Sequence, residues 1–263
     1  MNIAENWRGA WVVAYRELLR YVSERSRIIS SLAFPLVFLV VFGAGFGRII
    51  GSLAPGVDFV KFMYPGIVAM SVLTSSFFAG VSVMWDREFG FMREILVAPI
   101  GRTGIVLGKA AGASFTALLQ VGLMVALAPL LGVPLDLRTI ALLVPIVIIL
   151  SLGLSGLGIM IAAFMRSQQG FQLLTQLLMF PLIFLAGVFY PVNEVPVWLE
   201  VVSKANPLTY GVDAIRQVFL GSVPGLGVTV LGHTMSLVEE VAVIAVLGAL
   251  LLGGAVLAFN RQE

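Results

Sequence analysis

The chain has 263 residues, 59% of them hydrophobic and only 11% charged, and its mean hydropathy is +1.04. Globular domains carry about a quarter charged residues, so the solvent around most of this chain is lipid and a soluble fold is excluded. The net charge of +2 points to no nucleic-acid partner, and the absence of cysteine removes disulfides, thiol redox chemistry and thiolate metal sites.

Residues 1–27 hold five arginines and three glutamates with no continuous apolar core, so no cleaved leader is expected there. Trp7, Trp11, Tyr15, Leu18 and Val22 recur every three or four residues, while Arg16, Arg20, Glu24 and Arg27 fall on another face. This pattern predicts an amphipathic helix lying along the inner membrane surface. Six apolar segments then follow at 28–50, 61–84, 105–131, 138–165, 170–190 and 237–259, each long enough for a hydrocarbon core that needs roughly 20 residues. With the N-terminus inside, the inner segments hold Arg8, Arg16, Arg20, Arg25, Arg27, Arg87, Arg93, Arg102, Lys109, Arg166 and Arg261. The outer ones hold Arg48, Lys61, Arg138, Lys204 and Arg216, and eleven against five places both termini in the cytoplasm.

Within the spans, Pro35, Pro65, Pro145 and Pro181 predict kinks or broken ends. Gly43/Gly47 and Gly108/Gly112 predict close helix approach. Between spans 2 and 3, residues 86–99 interleave Asp86, Arg87, Glu88, Arg93 and Glu94 with Phe89, Phe91 and Met92 before Pro99 and Gly101. They predict a short cytoplasmic helix, which is either a docking surface for another protein or a solvated connector. After span 5, residues 191–236 keep apolar residues at helical spacing (Trp198, Leu199, Val202; Leu208, Val212, Ile215, Phe219) but interrupt them with Pro196, Pro207, Glu200, Lys204, Asp213 and Arg216. Two short helices dipping into the outer edge of a bilayer fit this pattern, with Asp213 and Arg216 one turn apart and able to pair.

Three chemical motifs fail on inspection. Gly104-Ile105-Val106-Leu107-Gly108-Lys109-Ala110 imitates a phosphate loop, but three residues separate its glycines and Ala110 stands where a magnesium-binding hydroxyl is needed. Lys109 is expected to snorkel to the inner interface instead. Gly153-Leu154-Ser155-Gly156 together with the only histidine, His233, resembles the rhomboid intramembrane proteases. Ser155 nevertheless falls about 25 Å below the outer end of span 4, while His233 precedes span 6 on the outer side, too far apart for a nucleophile and its base. The expected alternative is a helix-packing face around Ser155 and an exposed loop histidine. One histidine without cysteine also supplies too few ligands for a metal. No carboxylate is expected at mid-membrane: Asp58, Asp136, Glu194, Glu200, Asp213, Glu239 and Glu240 fall in outer connections or at span ends. Glu239 and Glu240 are expected to favour the positive end of the last helix. Ion-coupled secondary transport therefore loses ground.

These elements resemble the membrane subunit of type-2 ABC exporters, and the resemblance covers nearly the whole chain. It is carried by Tyr64-Pro65-Gly66, the charged 86–99 segment, Leu185 to Pro191, Pro196 to Leu199, and Asn206-Pro207-Leu208-Thr209-Tyr210 with Asp213, Ala214, Ile215 and Arg216. The last form is similar to the daunorubicin-resistance branch. The resemblance implies an all-α polytopic fold in a single transmembrane domain, placed in a bacterial or archaeal plasma membrane. It also implies a second copy of the permease as partner, membrane lipids around it, and a cytoplasmic ATPase subunit that holds ATP and magnesium. This chain would bind no cofactor and no metal of its own. Residues 85–104 would carry the coupling helix, with Asp86, Arg87, Glu88, Phe89, Arg93 and Glu94 facing the ATPase. Thr74, Phe77, Phe78, Phe171, Thr175, Phe180 and Phe184 on spans 2 and 5 would line the substrate path, and Asn206, Pro207, Tyr210, Asp213 and Arg216 its outer mouth. The expected cargo is a lipophilic drug or lipid; a lipid-linked polysaccharide or glycolipid remains open, as does a channel or scaffold working without an ATPase.

Overall fold

A computed structural model describes residues 3–53, 58–90, 101–133, 135–221, 226–230 and 232–261. Nearly every described residue is helical, as lipid demands of a backbone that must satisfy its own hydrogen bonds. Helix α1 runs Ile3–Ser23 and α2 Arg25–Leu53, separated at Glu24. Helix α3, Phe59–Glu88, starts at Asp58, whose carboxylate accepts from the amides of Val60 and Lys61. Helix α4 is Arg102–Leu127, extended by a 3-10 turn at Ala128–Leu131 that Gly132 closes with a left-handed φ of 71°. Helix α5, Leu137–Phe164, is capped by Asp136, and α6, Gln168–Phe184, by Ser167.

Among the described residues, five segments are long and apolar enough to cross a membrane: the stretches Arg25–Gly47, Phe59–Glu88, Arg102–Leu131 and Leu137–Phe164, and the last helix, Leu237–Asn260. The segment expected as a fifth span over 170–190 is a shorter helix. Helix α6 has 17 residues, which at 1.5 Å each is about 25 Å, short of the ~30 Å hydrocarbon core. Its end has a local cause, since Gly187 takes a φ of 71° and Pro191 follows. Conversely, Pro35, Pro65 and Pro145 lie inside helices that continue through them, and Pro181 sits in the last turn of α6.

Beyond α6 come the two short helices expected from the sequence: α7, Val197–Ala205, and α8, Pro207–Leu220. Asn206 caps α8 by accepting from the Leu208 amide at 3.0 Å, and Pro207 occupies its first position. A two-residue antiparallel hairpin, Thr229–Val230 with His233–Thr234, was not foreseen. It leads to α9, Leu237–Asn260, which opens with a full capping box between Ser236 and Glu239.

Helix α3 is the hub. It packs against α2, α4, α5, α6 and α8, and Met63 through Ala69 are 0% exposed apart from Pro65 and Gly66, which are also buried. Helix α5 bridges α3 to α9, where glycines allow near backbone contact: a Cβ on Gly153 would sit 2.6 Å from the Gly248 Cα. Gly156 faces Leu252 with the same lack of room. The packing face expected around Ser155 is therefore real. Gly108 and Gly112 likewise admit α1, since a Cβ there would meet the Ala10 carbonyl and the Glu17 Cβ, each at 2.6 Å.

Candidate functional site

At the end of the bundle where α1 meets α3 and α4, four charged side chains neutralise one another. Lys109 on α4 is 1% exposed. Its Nζ donates to Asp86 Oδ2 at 2.5 Å, to Ser82 Oγ at 2.8 Å and to Glu17 Oε1 at 3.2 Å. Ser82 in turn donates to Glu17 at 2.6 Å, and Arg16 Nη2 donates to Asp86 at 2.7 Å. Two cations and two carboxylates balance. Burial alone would raise the Glu17 carboxyl, but the Lys109 ammonium, the Ser82 hydroxyl and Arg16 outweigh it and hold it at about 2.

This geometry corrects two expectations. Lys109 does not snorkel to the interface; α1 and α3 bring carboxylates to it, so its charge is satisfied inside the protein. Asp86, Arg87 and Glu88 form the last turn of α3 rather than a separate helix. Asp86 is 2% exposed and committed to Lys109 and Arg16, so it presents no surface to an ATPase. Arg87 donates to the Ala162 and Met165 carbonyls at 2.9 and 3.3 Å, tying α3 to the end of α5. With its amide turned so that donor and acceptor match their neighbours, Gln168 donates to Glu88 and accepts from Trp85 Nε1 at 2.7 Å. Phe89 is the outward residue, 67% exposed, and Gly90 ends the helix with a φ of 79°. Arg93 and Glu94 lie outside the described residues.

Cation–π contacts extend the cluster along α1 and α2. The Arg20 guanidinium lies 4.4 Å from the Trp85 ring, and that of Arg27 lies 4.0 Å from Phe78. Helix α1 also carries an open apolar stripe, with Trp7 and Trp11 69% and 61% exposed and Tyr15 and Val22 alongside, and Trp11 meets Phe115 of α4 edge-on at 5.9 Å. This is the stripe that the sequence assigns to a membrane surface.

The motif at the opposite end works as a set of struts. Asn206 Nδ2 donates to the Leu182 carbonyl at 2.7 Å, joining α8 to α6. Thr209 and Tyr210 donate back to Ser203 and Lys204 on α7 at 2.6 and 2.8 Å. Arg216 donates to the Gly187 carbonyl at 2.7 Å, stacks over Phe62 of α3 at 4.3 Å, and approaches Asp213 at 3.9 Å, the pairing expected from their spacing. Asp213 Oδ2 accepts from the Val228 amide at 2.6 Å. Glu240 departs from expectation: instead of lying at the exposed helix end beside Glu239, it is 0% exposed.

The residues predicted to line a path divide in two. Phe77 and Phe171 are core residues, with Phe171 0% exposed, and Thr175 is buried with them. Thr74, half-buried, donates back to Met70 at 2.9 Å. Phe180 and Phe184 are exposed, 6.2 Å apart and stacked. They continue a ladder that the sequence reading missed. Phe38 stacks on Phe42 at 5.1 Å and Phe42 on Phe46 at 5.5 Å; Phe189 bridges Phe42 to Phe184 at 5.2 and 5.4 Å. The spacing of Phe34, Phe38, Phe42 and Phe46 every four residues on α2 is the signal that could have found it.

Ser155 is buried and donates to the Leu152 carbonyl at 2.8 Å, whereas His233 is exposed beside Glu239 at 3.2 Å. The two form no catalytic pair. Among the described residues no group of three or more His, Cys, Asp or Glu side chains could hold a metal.

Comparison with known proteins adds the family. The profile of ABC-2 type transporters matches residues 8–220. Nodulation protein J of Rhizobium meliloti is 29% identical over 219 residues, covering 82% of each chain. The putative transport permease ycf38 of Cyanophora paradoxa is 28% identical over 197 residues, 73% of this chain and 67% of its own. The inner membrane transport permease YadH of Escherichia coli is 26% identical over 197 residues, 73% of this chain and 77% of its own.

Proposed function

From the premise that this chain belongs to the ABC-2 type transporter family, and is thus the permease subunit of an ABC transporter working with an ABC ATPase, we propose that it exports a lipophilic compound. The half-exposed aromatic ladder from α2 to α6 carries this reading. Stacked phenylalanines offer a large apolar surface with no fixed polar recognition, which suits lipid-soluble cargo. We place a second copy of the chain against this face, so that Phe180, Phe184 and Thr74 border a path between protomers. Helix α6 would count as the sixth span once surrounded by lipid and that second copy. Both termini, the open face of α1 and the ATPase lie on the cytoplasmic side of the plasma membrane in this arrangement.

The proposed stroke follows the contacts. Closure of the ATPases on ATP pushes the segment after Glu88, at Phe89, Arg93 and Glu94. Asp86 keys the end of α3 to Lys109 and Arg16, so the push is shared by α1, α3 and α4 rather than absorbed by a loose turn. Helix α3 has 30 residues, about 45 Å at helical rise. At its far end Phe62 lies under Arg216, and Tyr64 meets Phe219 edge-on at 5.4 Å. The movement thus reaches α8 at the outer mouth without a flexible joint. One experiment separates the cargo classes: ATP hydrolysis by the copurified permease–ATPase complex, titrated with lipophilic drugs, phospholipids and lipid-linked glycans. Stimulation by drugs or phospholipids supports the proposal, whereas stimulation by glycans alone moves it to polysaccharide export.

A further inference from the structure

Helix α5 is longer than the hydrocarbon it crosses. Its 28 residues span about 42 Å at helical rise, against a core of ~30 Å. The first turn therefore stands at headgroup level on the α7–α8 side. The surface around it faces lipid, since Leu137, Ile140 and Val144 on α5 and Val238 on α9 are exposed apolar side chains. At this level a cleft of about 530 Å³ opens between the start of α5, the end of α8 and the start of α9. Asp136, Arg138, Thr139 and Gln217 give it a polar side, and Leu142 and Leu237 belong to its apolar side. Its volume falls in the range of small-molecule sites, with room for a phospholipid headgroup and its glycerol.

The polar groups are only partly used. Asp136 Oδ1 accepts from the Thr139 amide and hydroxyl, each at 2.6 Å, and its Oδ2 meets no donor among the described residues. Arg138 is exposed, and among the described residues its guanidinium meets no acceptor at hydrogen-bonding distance. It acts on Asp136 through its charge alone. Gln217 is tied to the Met235 carbonyl at 3.1 Å, which holds α8 to the chain entering α9 and keeps the cleft's wall in place. A carboxylate oxygen that only accepts and a guanidinium that only donates thus line one cleft. A purely anionic ligand would satisfy Arg138 and be repelled by Asp136, and a purely cationic one would meet the reverse. A headgroup with both a phosphate and a primary ammonium satisfies the two together, with charge-assisted hydrogen bonds at each end.

We infer that this cleft binds a zwitterionic phospholipid of the ethanolamine type. The phosphate lies against Arg138, the ammonium donates to Asp136 Oδ2, and the acyl chains leave over Leu142 and Leu237 onto the lipid-facing surface. Bound there, the lipid fills the gap between three helices and braces α8 at its C-terminal end. The cleft is built from α5, α8 and α9, whereas the phenylalanine ladder belongs to α2 and α6, so this lipid is a resident of the fold and not the cargo. The site stands without the export reading, which supplies only its placement on the outer side.

The test uses the full chain purified in detergent, with neither ATPase nor cargo, so its failure leaves the export proposal untouched. Dioctanoyl phosphatidylethanolamine should raise the unfolding midpoint by several degrees. Dioctanoyl phosphatidylglycerol, which has the phosphate but no ammonium, should raise it much less. Arg138→Gln, a change at an exposed position, should erase the ethanolamine effect. Mass spectrometry of the gently released chain gives a second reading: phosphatidylethanolamine should stay with the wild type and be retained several-fold less by Arg138→Gln. No rise with the ethanolamine lipid, equal stabilisation by the two lipids, or stabilisation and retention unchanged in Arg138→Gln would each overturn the site.

Discussion

Replacing Lys109 by methionine tests the inner cluster most sharply. Methionine keeps the unbranched apolar stem, one heavy atom shorter, and removes the charge and the donors. In the wild type that ammonium satisfies Asp86, Glu17 and Ser82 at once, with none of its side chain exposed. Its loss leaves two buried carboxylates facing a single, partly exposed Arg16. Breaking a buried pair by removing one partner costs about 3–5 kcal/mol, because the remaining charge stays desolvated. For a chain of this size each kcal/mol lowers the unfolding midpoint by about 2–4 °C, so the expected drop is roughly 6–20 °C. Tryptophan fluorescence in detergent or nanodiscs reads it directly, since Trp85 lies one residue from Asp86. The double variant Lys109→Met, Asp86→Asn should recover part of the loss by removing the stranded charge. A drop equivalent to less than about 1 kcal/mol would mean that the cluster behaves as a surface ion pair, and the keyed end of α3 would have to be abandoned.

Glu17 gives the corresponding pH prediction. Its folded carboxyl is held at about 2 against an ordinary 4.5, so its contribution is complete above the ordinary value and fades as the pH falls toward the folded one. Glu17→Gln should therefore lose on the order of 3 kcal/mol at neutral pH and show a shallower acid-unfolding limb, read from unfolding midpoints across acidic buffers. Gly153→Leu drives a side chain into the Gly248 backbone and should cost about 1–3 kcal/mol or prevent assembly, seen as faster protease cleavage between α5 and α9. Asn206→Ala removes both the cap of α8 and the bond to Leu182; the expected loss is about 1–2 kcal/mol, with hydrogen exchange rising first in α8. Phe42→Ala with Phe184→Ala should reduce cargo-stimulated hydrolysis far more than stability, because aromatic pairs add only about 0.5–1.5 kcal/mol each.

Much of the architecture was legible because lipid leaves the sequence few options. Apolar length announced the long helices, the tryptophan spacing announced the open face of α1, and Pro196 and Pro207 with interspersed charges announced the broken helices α7 and α8. Of the glycine pairs read as close approaches, Gly108 and Gly112 fulfil that role and Gly43 meets Val60, whereas Gly47 has nothing within 4 Å. What the sequence concealed were long-range partnerships. Lys109 has the composition of a snorkelling residue until Asp86, 23 positions earlier, is folded against it. Glu240 could not be told from Glu239 because each stands at a helix start, and only the rotation of α9 buries one of them. The end of α6 was missed for another reason: the apolar run continues to Phe189, and the left-handed Gly187 is what stops the helix. The Phe ladder is written in the four-residue spacing of Phe34, Phe38, Phe42 and Phe46, but apolar length alone does not separate that stripe from an ordinary span.

The central claim is that this chain provides the membrane path and a separate ATPase provides the energy. Reconstitution into liposomes with and without the ATPase, followed by ATP-dependent movement of a fluorescent lipophilic compound, tests it most directly. Movement and hydrolysis that require both proteins, and that a Walker-motif substitution in the ATPase abolishes, are the predicted result. Robust hydrolysis or directed movement by this chain alone would contradict the account.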